Sequence, residues 1–145
     1  MIAATMFVGV GLCASGARAA DGPKFYESPG AAAPFSAAVR IGNTVYVSGV
    51  IGVDAAGTLP ADFSEQATNA MHNLDKELHL AGASMADVYK CDVSMTDMKN
   101  WPAFNTVYTR FFKPHAYPVR MATGVVALAK GGAVEIECEA YSPAH

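Results

Sequence analysis

The chain has 145 residues, enough for one domain with a modest core. Its 52% hydrophobic and 16% charged residues are those of a globular protein and exclude a long disordered tail. A formal net charge of −3, with no basic stripe, excludes a surface built to track a phosphate backbone, so no nucleic-acid partner is expected.

Met1 to Ala19 carries no acid and one base, Arg18, and Ile2 to Ala14 is apolar or small throughout. Ala17-Arg18-Ala19 before Ala20-Asp21 has the small-x-small form of a cleavage site, so residues 1–19 read as a signal peptide cut after Ala19. No Lys or Arg precedes the apolar run, which is too short to span a bilayer comfortably. The expectation is a periplasmic or secreted protein, free of the membrane once the leader is removed. A leader that does not function would leave it cytoplasmic. Residues 20–33, rich in Pro, Gly and Ala, read as a linker or surface arm, and 34–145 as a single domain.

Ala37 to Val50 reads as a hairpin turning at Gly42-Asn43. Val53 to Pro60 is a loop. Asp62 caps a helix, with Glu65 completing a capping box, and Phe63, Ala67, Ala70, Met71, Leu74, Leu78 and Ala81 recur at helical spacing until Gly82. Val88 to Met95 is a strand with Tyr89, Cys91, Val93 and Met95 on one face. A second helix starts near Asn100, with Pro102 in its first turn and a stripe of Trp101, Phe104, Val107, Tyr108 and Phe111. Met121 to Leu128 and Ala133 to Tyr141 read as a final hairpin around Lys130-Gly131-Gly132.

The order β-β-α-β-α-β-β is α+β: a mixed sheet with two helices on one face. Ala122 to Leu128 has almost no polar alternation, so the other face also needs cover, most simply from another subunit. Without the leader two cysteines remain, Cys91 and Cys138. An even count permits a disulfide after export. Both fall on apolar strand faces, and buried free thiols are the preferred reading.

The chemistry concentrates at the C-terminal end. Tyr117-Pro118-Val119-Arg120 opens one strand, and Glu135, Glu137 and Glu139 share one face of the next. An arginine fork binds a carboxylate bidentately, and a carboxylate can activate water. The pair fits hydrolysis of a small organic acid; the plainer reading is a solvated edge strand and a structural arginine. If the hairpin turns near Gly131, Arg120 lies on the order of 20 Å from Glu135, and twist or a neighbouring subunit must join them.

These segments resemble the RidA (YjgF-type) enamine/imine deaminase family. Pro34-Phe35-Ser36, the strand Ile41 to Ser48-Gly49, the helix exit Leu80 to Val88, Phe104-Asn105-Thr106-Val107-Tyr108 with Phe111-Phe112, and Pro118 to Arg120 follow in its order and spacing. The resemblance implies a chorismate-mutase-like fold and homotrimers with active sites in the clefts between subunits. It implies hydrolysis of 2-imino or 2-enamino acids to 2-keto acids and ammonia. Arg120 would bind the carboxylate, and Glu135 would manage water and protons, its pKa raised by Glu137 and Glu139. Asn105, Gly49, Phe35 and the backbone at Ala122 would line the substrate site. Phe35 stands where a tyrosine is common, Val50 where glutamine is usual and Gly52 where proline is usual. These departures favour the alternative of a non-catalytic carboxylate-binding module; a stress-related holdase with the same fold is a second alternative. No metal or other cofactor is implied: His72 and His79 are about 10 Å apart along a helix, and no metal-binding or phosphate-loop motif occurs.

Overall fold

A computed structural model describes residues 22–27 and 33–143. The expected signal peptide, residues 1–19, lies outside the described residues, as do residues 20–21 and 28–32 of the arm. Within the arm, Lys24–Tyr26 forms a strand, β1, paired antiparallel with β2, Ala38–Ile41. Then follow β3 (Thr44–Val47), β4 (Val50–Ile51), α1 (Phe63–Leu80), β5 (Val88–Met95), α2 (Trp101–Tyr108), β6 (Val119–Gly124) and β7 (Val134–Tyr141).

The helices form where the apolar spacing places them. Asp62 accepts the Glu65 amide at 2.9 Å and starts α1. Ala67, Ala70, Met71, Leu74 and Leu78 are buried along one stripe. The helix closes with Ala83 N–H donating to Leu78 O and Gly82 N–H to His79 O, the double closure typical of a left-handed C-cap. Arg40 from β2 covers that end, its Nε donating to Ala81 O at 3.0 Å and its Nη1 to Ser142 O at 2.6 Å. A cation there opposes the helix dipole and ties the sheet edge to the chain's end.

The seven strands form one sheet in the order β1-β2-β3-β7-β5-β6, with β4 paired to β7 beyond the end of β3. Both helices pack on one face, over Val45, Cys91, Val93, Met95, Val134, Ile136 and Ala140. The architecture is α+β, as expected. The final hairpin is not there. α2 is a crossover that lays β6 parallel to β5, and β7 enters antiparallel between β5 and β3. Residues 125–133 carry the chain past the end of β5, so β6 and β7 are separated by that strand.

Two further expectations are corrected. The register of β5 on β7 shifts between Val88 and Lys90, and Tyr89 escapes the apolar face to lie 42% exposed. Cys91 and Cys138 are not free thiols. They stand directly opposite each other in the antiparallel β5–β7 pair and form a disulfide, buried under the helices.

The open face of the sheet carries Tyr46, Val119 and Met121, at 43%, 68% and 59% exposure, around a charged centre of Lys90, Asp92 and Glu139. Apolar side chains this large on one face are what a sheet shows when another surface covers it.

Candidate active site

Arg120 is the second residue of β6 and stands opposite Cys91 of β5. Paired residues share a face, so its side chain lies on the helix side, against α2. Asn105, in the middle of α2, accepts from Arg120 Nη2 at 2.6 Å. The guanidinium carbon lies 4.3 Å from the ring centre of Trp101, 4.3 Å from that of Tyr108 and 5.7 Å from that of Phe104. These three aromatics are the stripe at positions 101, 104 and 108 that spacing marked as core. They are core, and they also hold the arginine by cation–π contact.

Among the described residues no carboxylate lies within 4 Å of Arg120. A structural salt bridge to Glu135, Glu137 or Glu139 is therefore not its role. Nη1 is buried with no hydrogen-bond partner. Burial lowers the arginine's pKa, and the neighbouring Tyr108 works in the opposite direction. A guanidinium with one nitrogen engaged and one unpaired has donors to spare for an anionic group. Ala122 is two residues further along β6, opposite Val93 and on the same face as Arg120.

Glu135 belongs to a second constellation. It is the second residue of β7, opposite Ser94 of β5 and Ile51 of β4. Its neighbour Ile136 faces the helices, so Glu135 faces away from them. Its carboxylate rests against Gly49: a Cβ on Gly49 would lie 2.2 Å from Glu135 Oε1. The jog between β3 and β4 thus needs glycine to leave room for the acid. Ser48 donates to Ser36 O at 2.7 Å and pins the segment that carries Phe35. Phe35, Ser48, Gly49 and Glu135 line an open cavity of about 1070 Å³ that wraps the sheet edge at β4.

Of the residues departing from the expected pattern, Phe35 is 64% exposed at this cavity and Val50 is buried at its floor. Gly52 packs on α1, where a Cβ would lie 2.0 Å from Gln66 O, so it serves close packing.

The other acids on β7 are accounted for separately. Glu139 accepts from Tyr89 Oη at 2.5 Å and Lys90 Nζ at 2.9 Å. Its carboxyl is held below the usual range by those two bonds, and the Tyr89 phenol is pushed up to about 12 by the same contact. Glu137 is exposed. Glu135 alone of the three lines the cavity. Among the described residues no group of His, Cys, Asp and Glu could hold a metal ion.

The structure therefore brings Arg120 together with Asn105, and Glu135 together with Gly49 and Phe35, but keeps the two sets apart. Three residues along the strands and two strand spacings across place their backbones roughly 14 Å apart, on opposite faces. Trp101 and Tyr108 were missed as site residues. Nothing in the sequence distinguishes an aromatic that packs on a strand from one that packs on an arginine of that strand.

A family profile described as Endoribonuclease L-PSP matches residues 25–142. A goat (Capra hircus) 2-iminobutanoate/2-iminopropanoate deaminase is 40% identical over 113 residues, covering 77% of this chain and 82% of that protein. The crystal structure of RidA from an Antarctic Psychrobacter superposes with a TM-score of 0.73 at 40% identity, covering 79% of this chain and 94% of that one. That of Escherichia coli TdcF with bound serine superposes with a TM-score of 0.76 at 35% identity, covering 81% and 98%.

Proposed function

The chain belongs to the RidA (YjgF-type) enamine/imine deaminase family, and from that premise we propose that it hydrolyses reactive 2-imino and 2-enamino acids to 2-keto acids and ammonia through Arg120 and Glu135. The observation that carries this reading is the arginine itself. It is stacked in an aromatic clamp, fixed at one nitrogen by Asn105, and has no acidic partner among the described residues.

Arg120 holds the substrate carboxylate and so orients the adjacent imine carbon. Glu135 takes a proton from water as the oxygen bonds to that carbon, and the imine nitrogen gains a proton. The carbinolamine then collapses: its hydroxyl gives up a proton, the amino nitrogen takes one up, C=O forms, the C–N bond breaks and ammonia departs. For an enamine, a proton first adds at the β-carbon to give the imine. No redox partner or metal enters this balance.

The two half-sites act together when Arg120 of one chain meets Glu135 of another. Their placement on opposite faces of one sheet supports a homotrimer with shared sites, as does the apolar patch on the open face. The Cys91–Cys138 disulfide supports maturation in an oxidising compartment, in keeping with an exported protein whose leader is residues 1–19.

The test is a coupled assay. An amino-acid oxidase generates the imine, semicarbazide traps it, and added protein competes with the trap. Wild type should lower the trapped fraction and Arg120→Ala should not. If no imino acid responds to wild type, the binding-module reading, which the Phe35 and Val50 departures favour, replaces this one.

A further inference from the structure

Among the described residues, two contacting side chains each hold a buried polar atom without a hydrogen-bond partner. Nη1 of Arg120 and the hydroxyl of Tyr108 are both buried, and neither makes a hydrogen bond. They belong to side chains in direct contact, the Tyr108 ring lying 4.3 Å from the guanidinium carbon. Tyr108 is 3% exposed. It follows Asn105 by three residues, so one face of α2 presents both to the arginine. Asn105 satisfies Nη2 and leaves Nη1 without a partner among the described residues.

A buried unsatisfied donor is costly, and a fold that keeps two side by side has placed them for a group that answers both. Both atoms can donate. The guanidinium has only donors, and burial pushes the Tyr108 phenol up to about 12, so it keeps its proton across the working range of pH. Two neighbouring donors, one charged, fit the two oxygens of a carboxylate. Arg120 is half-buried as a whole, while Nη1 and the Tyr108 hydroxyl are closed to solvent, so a carboxylate reaches them only as neighbouring side chains shift.

We propose that Tyr108 is a second anchor for the substrate carboxylate, its O–H donating to one oxygen while Arg120 Nη1–H donates to the other. The identity of the ligand rests on the deaminase reading; the juxtaposition of donors does not.

Tyr108→Phe keeps the ring and removes the donor. The affinity for 2-oxobutanoate, measured by ligand-observed NMR, should fall about tenfold, and KM for the imine should rise by the same factor with kcat within about twofold. In an Arg120→Ala background, Tyr108→Phe should cost nothing further, because the two donors act on one group. Unchanged affinity in Tyr108→Phe overturns the proposal, and so does an equal loss in both backgrounds, which would mark a structural effect. If wild type binds 2-oxobutanoate but does not accelerate imine hydrolysis, the deaminase reading fails while the affinity comparison still decides the role of Tyr108. If wild type binds no 2-oxobutanoate, both fall.

Discussion

Arg120 and Glu135, fifteen residues apart in the chain, leave opposite faces of the same sheet. Arg120 shares its register with Cys91 and turns toward α2; Glu135 shares its register with Ser94 and turns away from the helices. The two residues therefore act from separate surroundings within one chain, and what each does is separately measurable.

The carboxylate half depends on Arg120 and Asn105. Arg120→Ala should weaken binding of a 2-oxo acid by roughly 10- to 100-fold, the worth of a charge-assisted hydrogen bond. Arg120→Lys should recover only part of it, since a lysine cannot stack flat between Trp101 and Tyr108 and keep a fork. Isothermal titration against 2-oxobutanoate checks both.

The acidic half depends on the contact between Gly49 and Glu135. In Gly49→Ala the new methyl would overlap Oε1, and the flexible carboxylate is what yields. The expected result is a kcat lower by about 10- to 100-fold, from misplacement of the proton-handling group. Stability should change by no more than about 1 kcal/mol, because backbone and core are untouched. Steady-state kinetics beside a denaturant melt separates the two effects.

The disulfide should matter for stability more than for chemistry. Cys91 and Cys138 are 47 positions apart and close a loop containing α2 and β6. Removing that closure costs about 4 kcal/mol on the chain-entropy account. Paired Cys91→Ala and Cys138→Ala substitutions, which avoid leaving a lone thiol, should lower Tm by on the order of 10 °C. Calorimetry with and without reductant reads the difference.

Glu139 sets an acid-side dependence of stability. Its folded pKa is depressed by hydrogen bonds from Tyr89 and Lys90. Its contribution is therefore present above the unfolded carboxylate pKa and is lost as pH falls through the lower folded value. Glu139→Gln should be less stable than wild type at neutral pH, and the gap should close on acidification below the usual carboxylate range. Urea melts at a series of pH values test the sign.

Legibility differed between elements for physical reasons. α1 was readable because Asp62, the apolar spacing from Phe63 to Leu78 and Gly82 all act within one segment. The faces of β7 were readable because alternation is local. Neighbours in the sheet were not. Parity says which face Cys138 occupies but not that Cys91 stands opposite it, and turn residues at Lys130-Gly131 look the same whether the next strand pairs at once or one strand further on. The shift at Tyr89 likewise arises from pairing. Arg120, Asn105, Glu135, Gly49 and Phe35 were singled out through a resemblance of ordered motifs. Trp101 and Tyr108 were hidden because their spacing was already explained by the core.

The most direct test of a site shared between chains is complementation. Arg120→Ala and Glu135→Gln chains, co-expressed in equal amounts, assemble at random. Each variant alone should be inactive in the semicarbazide assay. Over all randomly assembled trimers about one interface in four joins an intact arginine to an intact glutamate, so activity should return to about a quarter of wild type. No recovery in mixed assemblies, with both variants folded and trimeric, would contradict the account and place both groups' work within one chain.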